Sequence, residues 1–230
     1  MSNAAPNPTT DDLAARESLL RAMRQLDAAG LNRGSAGNGS VRASAGGFWV
    51  TATGMTAAEL SLDRLVWVDS TGQSHGPWQP SSEWHFHRAI YRQRPDLGAV
   101  LHSHSVHATA LATLRRRLPA FHYMVAVAGG DDVPCTPYHL FGTEALSDAV
   151  AAAFVGRKAC LMANHGLVAG GAHMGEALKV LVEIEALCEV YLKALAVAEP
   201  VSLSRDEMAA VIERFRYYGR PASRTDRPSP

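Results

Sequence analysis

The stretch AVLHSHSVHATALATL, residues 99–114, decides how the rest of the chain is read. Its first residues are a short apolar run of strand length, and His102 and His104 follow two positions apart. Residues i and i+2 of a strand project to one face, so both imidazoles aim at one point. Val100 shares that face, and Leu101 and Ser103 take the other. Past Ser105 the pattern becomes that of a short apolar helix ending near Leu114. The histidine pair has two readings: metal ligands, or strand-end residues hydrogen-bonded to backbone and water.

Further along, residues 158–163 are a second apolar strand, broken at Asn164-His165-Gly166 and resumed over 167–169. A catalytic zinc takes about three protein ligands and keeps one position open. His165 is the best third ligand, because it sits at the mouth of a buried strand before a glycine that permits close backbone approach. Upstream, residues 82–94 read as a helix stopped by Pro95. Glu83 opens it, either as a first-turn acid favoured by the helix dipole or as a catalytic carboxylate. His87 lies at i+4 on the same face and is the runner-up ligand. His107 belongs to the next helix and points away, whereas His75, His122, His139 and His173 read as loop or surface residues.

Three small-residue segments supply hydroxyls and amides: Ser35-Ala36-Gly37-Asn38, Thr53-Gly54 and Ser81-Ser82. Ser81 and Ser82 have a plain reading as helix caps. Together with a helix N-terminus, the set also suits a phosphate held by neutral donors. Neither a P-loop, a dinucleotide-binding glycine fingerprint nor a G-x-S-x-G elbow occurs.

Around these segments, residues 11–29 form an amphipathic helix followed by Gly30. Residues 34–39 read as a loop, 41–43 and 48–53 as a hairpin, and 64–69 as a strand. Helices are expected over 143–155, 175–197 and 204–215, the last with Ser204 and Glu207 at capping-box positions. The run FHYMVAV, residues 121–127, reads by composition as a core strand with Tyr123 half-buried. Strands and helices intermingle, which predicts a single α/β (α+β) domain over residues 10–219, with tails at 1–9 and 220–230.

Composition narrows the function. The 230 residues carry 22 basic and 22 acidic side chains, so no bulk charge draws the chain to nucleic acid or an anionic membrane. No apolar run approaches the ~18 residues of a transmembrane helix, and no secretory leader pattern is expected at the start. Cys135, Cys160 and Cys188 are few, odd in number and widely spaced, which favours a reducing cytoplasm. The three lysines are Lys158, Lys179 and Lys193, so Schiff-base chemistry has few candidates, while ten histidines favour a metal.

Taken in order, Gly37-Asn38-Gly39-Ser40, Thr51-Ala52-Thr53-Gly54, Ser81-Ser82-Glu83, His102-x-His104 and Asn164-His165-Gly166-Leu167 resemble the class II aldolase/adducin family. The likeness runs from about Asp11 to Gly219. It implies a mixed α/β sandwich with a central, mainly antiparallel sheet, assembled as a C4 homotetramer. It also implies Zn²⁺, or Mn²⁺ or Co²⁺ in its place, on His102, His104 and His165, with Glu83 as acid/base. By the same resemblance Ser35, Asn38, Thr53, Gly54, Ser81 and Ser82 bind the substrate phosphate. Tyr123, Phe141 and Tyr218 would reach the site from a neighbouring subunit or the C-terminal tail, Phe141 from the neighbour. The implied reaction is reversible aldol cleavage of a ketose 1-phosphate, L-fuculose 1-phosphate first, to dihydroxyacetone phosphate and L-lactaldehyde. The alternatives are a 3-oxo-tetronate-phosphate decarboxylase, a pentulose-phosphate epimerase, a dehydratase, or a non-enzymatic adducin-like module. The chain departs from the family at Ala52, at Gly39, at Tyr217 and beyond Gly219.

Overall fold

The structure is a computed structural model that describes residues 10–215. Six helices are described: α1 (Thr10–Ala28), α2 (Trp84–Gln93), α3 (Val106–Thr113), α4 (Glu144–Ala153), α5 (Met174–Leu195) and α6 (Arg205–Phe215). They surround one sheet of β1 (Asn38–Arg42), β2 (Phe48–Thr51), β3 (Leu65–Val68), β4 (Ser74–His75), β5 (Ala99–Ser103), β6 (Cys135–Thr136), β7 (Ala159–Met162) and β8 (Gly166–Gly171). The spatial order is β4-β3-β2-β1-β5-β8-β7-β6. Every pairing is antiparallel except β6 with β7. This is the mixed, mainly antiparallel α/β architecture that the family resemblance implies.

Strand alternation divides the core between the two faces of the sheet. Val41, Trp49, Leu101, Leu161 and Leu167 pack with Leu19, Met23 and Leu26 of α1 and with Leu181 and Ile184 of α5. Val50, Val66, Val100, Cys160 and Val168 face the other way, against Phe86 and Ile90 of α2 and Leu146 and Val150 of α4. His102 follows Val100 at i+2 and lies on the α2 side, its ring 5.7 Å from that of Phe86.

Several boundaries differ from the sequence reading. The glycine-rich segment is not loop to its end: β1 begins at Asn38, because antiparallel pairing with β5 sets Asn38 opposite His102. Ala β-carbon added at Gly39 would press on Leu19, Leu101 and Met23, so these side chains occupy the space a bulkier residue would need. Tyr123–Ala128 is a 3-10 helix rather than a core strand, and Tyr123 is half exposed. An all-apolar run carries no period that separates the two conformations. The two-residue strands β4 and β6 were too short to leave a pattern. The capping box of α6 forms as expected: Ser204 Oγ accepts from Glu207 N at 3.3 Å, and Glu207 Oε2 accepts from Ser204 N at 2.7 Å.

Candidate active site

The site lies where β5 ends and the β7–β8 turn begins. His102 is the last but one residue of β5, His104 stands just past the end of the strand, and His165 sits in the turn after Asn164, whose φ of 56° is left-handed. Gly166 is needed there, since a β-carbon would run into the Ser103 carbonyl and lie 3.2 Å from the rings of His102 and His104. One nitrogen from each imidazole lies within 4.8 Å of the others. His102 Nδ1 donates to the Leu167 carbonyl at 3.0 Å, which leaves the Nε2 lone pair facing His104 Nε2 at 3.0 Å. Complete burial lowers the pKa of His102 to about 4, and burial also lowers that of His104. Three imidazole nitrogens that converge in this way are the donor set of a divalent-metal site, so a metal ion fits these three residues.

Glu83 is buried between them. Its Oε1 is 3.1 Å from His165 Nε2 and its Oε2 3.3 Å from His102 Nε2. Glu83 is the N-cap of α2 and not a residue of its first turn; Ser81 Oγ accepts its amide at 3.3 Å. Burial alone raises its pKa, but the facing His102 and His165 and the Asn38 amide outweigh that and hold it below the carboxylate range.

A pocket of about 370 Å³ opens over these groups. Ser35, Gly37, Asn38, Thr53, Gly54, Ser81 and Ser82 line one part, and Tyr138, His139, Phe141 and Asn164 line another. The described lining contains no lysine or arginine, so an anion there would meet neutral donors. Gly37 is required by the close approach of its loop to Asn32 and the His102 carbonyl.

Phe141, expected from a neighbouring subunit, lines the pocket of its own chain. Tyr123 is not in that pocket; it borders an apolar hollow with Met124, Val211 and Phe215. Tyr218 lies outside the described residues. His87, the runner-up ligand, is turned away from the histidine cluster toward Asn38 and Ser40. His107 does point away, held by Glu185 Oε1 at 2.9 Å. Sequence reasoning missed Tyr138 and His139 as pocket residues. The available signal was a loop, Tyr138-His139-Leu140-Phe141, rich in rings yet lacking any apolar period.

Residues 17–192 match the Class II Aldolase and Adducin N-terminal domain, and the chain belongs to that family. It is an aldolase of the lyase class. The chain is 49% identical over 207 residues to the 5-methylthioribulose-1-phosphate/5-deoxyribulose-1-phosphate aldolase of Rhodospirillum rubrum, covering 90% of this chain and 93% of the relative. It is 47% identical over 191 residues to the L-fuculose phosphate aldolase of Escherichia coli K12, covering 83% and 88%. A solved L-fuculose 1-phosphate aldolase superposes with a TM-score of 0.86 at 35% identity, covering 94% of this chain and 100% of the other. These relatives leave no place for the non-enzymatic reading.

Proposed function

We propose that this enzyme cleaves a ketose 1-phosphate reversibly between C3 and C4, releasing dihydroxyacetone phosphate and an aldehyde, with L-fuculose 1-phosphate as substrate and L-lactaldehyde as the aldehyde. The observation that carries the reading is one pocket lined by His104, His165, the buried Glu83 and a cradle of neutral donors, with the buried His102 imidazole converging on the other two. The 49%-identical relative favours a second substrate, 5-methylthioribulose 1-phosphate or its 5-deoxy counterpart. Both readings share the phosphorylated end and differ in the aldehyde.

His102, His104 and His165 would hold the divalent ion, zinc by the donor set and Mn²⁺ or Co²⁺ as substitutes. When bound, the ion supplies a Lewis acid that stabilises the negative charge left on the ketone fragment. Glu83 takes the proton from the hydroxymethyl carbon of dihydroxyacetone phosphate in condensation and returns it after cleavage. Its lowered pKa keeps it ionised and able to accept. Ser35, Asn38, Thr53, Gly54, Ser81 and Ser82 bind the phosphate, and this remote binding holds the reacting carbons beside Glu83. Tyr123 of a neighbouring copy carries the proton of the C4 oxygen, and Tyr218 closes over the aldehyde. The copies form a C4 tetramer in the cytoplasm.

Product analysis tests this reading with L-fuculose 1-phosphate, 5-methylthioribulose 1-phosphate, D-ribulose 1-phosphate and a phosphorylated 3-oxo-tetronate. Dihydroxyacetone phosphate from a ketose 1-phosphate supports it. Carbon dioxide from the oxo acid, with no cleavage of any ketose, would replace it by the decarboxylase.

A further inference from the structure

The structure assigns His87 as the positioning residue that orients the Asn38 amide beneath Glu83, at the centre of a buried polar chain running from the carboxylate to the Tyr91 phenol. Asn38 Nδ2 lies 2.8 Å from Glu83 Oε2, and His87 Nε2 lies 2.7 Å from Asn38 Oδ1. On the other side of the ring, His87 Nδ1 is 2.7 Å from Ser40 Oγ, which is 2.9 Å from the Tyr91 hydroxyl. All five residues are buried, and His87 and Ser40 are 0% exposed. The chain spans two elements: Asn38 and Ser40 on one face of β1, His87 and Tyr91 one turn apart on α2.

The direction of every bond follows from its chemistry. A carboxylate only accepts, so Asn38 must turn its amide N–H to Glu83 and its carbonyl to His87. His87 must then donate from Nε2, and its unprotonated Nδ1 accepts from the Ser40 hydroxyl. Ser40 in turn accepts from the Tyr91 O–H. Full burial, which lowers the His87 pKa to about 3, keeps the ring neutral and this tautomer consistent. Without the Nε2 donor the Asn38 carbonyl would lose its partner, and the amide would be held by the Glu83 carboxylate alone. Because Asn38 also lines the pocket, one imidazole sets both the base and a pocket donor.

The consequence for catalysis rests on Glu83 being the base that removes the hydroxymethyl proton. Two variants separate positioning from packing. In His87→Gln the side-chain amide takes the place of Nε2–H and reaches Asn38, whereas in His87→Asn it occupies the place of Nδ1 and reaches only Ser40. Each loses one of two buried hydrogen bonds. Proton exchange on dihydroxyacetone phosphate by the metal-loaded protein should stay within a few-fold of wild type in the glutamine variant. It should fall roughly 10–100-fold in the asparagine variant, with metal content and melting temperature alike in the two. Equal losses in both variants, or losses that track melting temperature, would overturn the assignment. Independently of activity, ¹⁵N NMR of the wild-type protein should show His87 as the neutral Nε2–H tautomer, and an Nδ1–H tautomer or a cation would also overturn it. If the wild type exchanges no proton, the proposed function falls, and the tautomer still decides the role of His87.

Discussion

Three imidazoles and one carboxylate concentrate the chemistry, and each reaches its place for a different reason. His102 is carried by strand alternation, His104 by the chain leaving the sheet, His165 by a turn, and Glu83 by the end of a helix. Because the three ligand nitrogens lie within 4.8 Å of one another, removing the divalent ion with a chelator should abolish cleavage, and Zn²⁺ should restore it. An active preparation shown by elemental analysis to be metal-free would refute the site. Glu83→Gln preserves size and the Asn38 contact region but removes the proton acceptor. Turnover and proton exchange should fall ~10²–10⁴-fold while bound metal and melting temperature change little. Near-normal exchange in that variant would take the base role away from Glu83.

At the scale of elements, the β5–β8 contact supports the ligand set. Gly166 pairs with Met162, and a β-carbon there would run into the Ser103 carbonyl and crowd the rings of His102 and His104. Gly166→Ala therefore forces the two strands apart or tilts the rings. Denaturant unfolding should show a loss of ~1–3 kcal/mol, accompanied by weaker metal retention. Unchanged metal affinity would show that the close approach serves packing alone. The β3–β4 turn offers an independent test through pH. Asp69 Oδ1 accepts from the Thr71 hydroxyl at 2.6 Å and from the amides of Thr71, Gly72 and Gln73 at 2.9 Å, while Oδ2 faces His75. The Thr71 hydroxyl first, then His75 and the amides, hold its pKa below the usual range. A depressed folded-state pKa means stability that is complete above the unfolded value of about 3.9 and lost as pH falls through the folded one. Asp69→Ala should cost about 1–2 kcal/mol at neutral pH. Unfolding measured below about pH 4 should show that difference shrinking; a constant difference would assign it to packing.

For the whole molecule, the proposed assembly is tested through Tyr123. The pocket is lined from one chain by its neutral donors and by Phe141, whereas Tyr123 is half exposed elsewhere on the surface. Sedimentation should find a tetramer at working concentrations. Tyr123→Phe should keep that tetramer and slow carbon–carbon cleavage more than proton exchange, because in the proposed reaction the phenol carries the proton of the C4 oxygen. A fully active monomer, or a variant with both rates unchanged, would remove Tyr123 from the reaction.

The sequence by itself determined the elements whose signals are local. Those were the helices with a 3.6 period, the apolar strand that carries His102, and the capping box at Ser204 and Glu207. These are legible because neighbouring residues alone set backbone period and end-capping. The family likeness came from the same ordered segments. Only the tertiary structure decided that Asn38 lies opposite His102, that His165 and not His87 joins the imidazole cluster, and that His87 serves Asn38 instead. It also decided that Tyr138, His139 and Phe141 border the pocket of their own chain, and that the histidines hold the Glu83 carboxyl low. The physical reason is common to all of them: strand register and burial are settled between segments tens of residues apart, where no local period speaks.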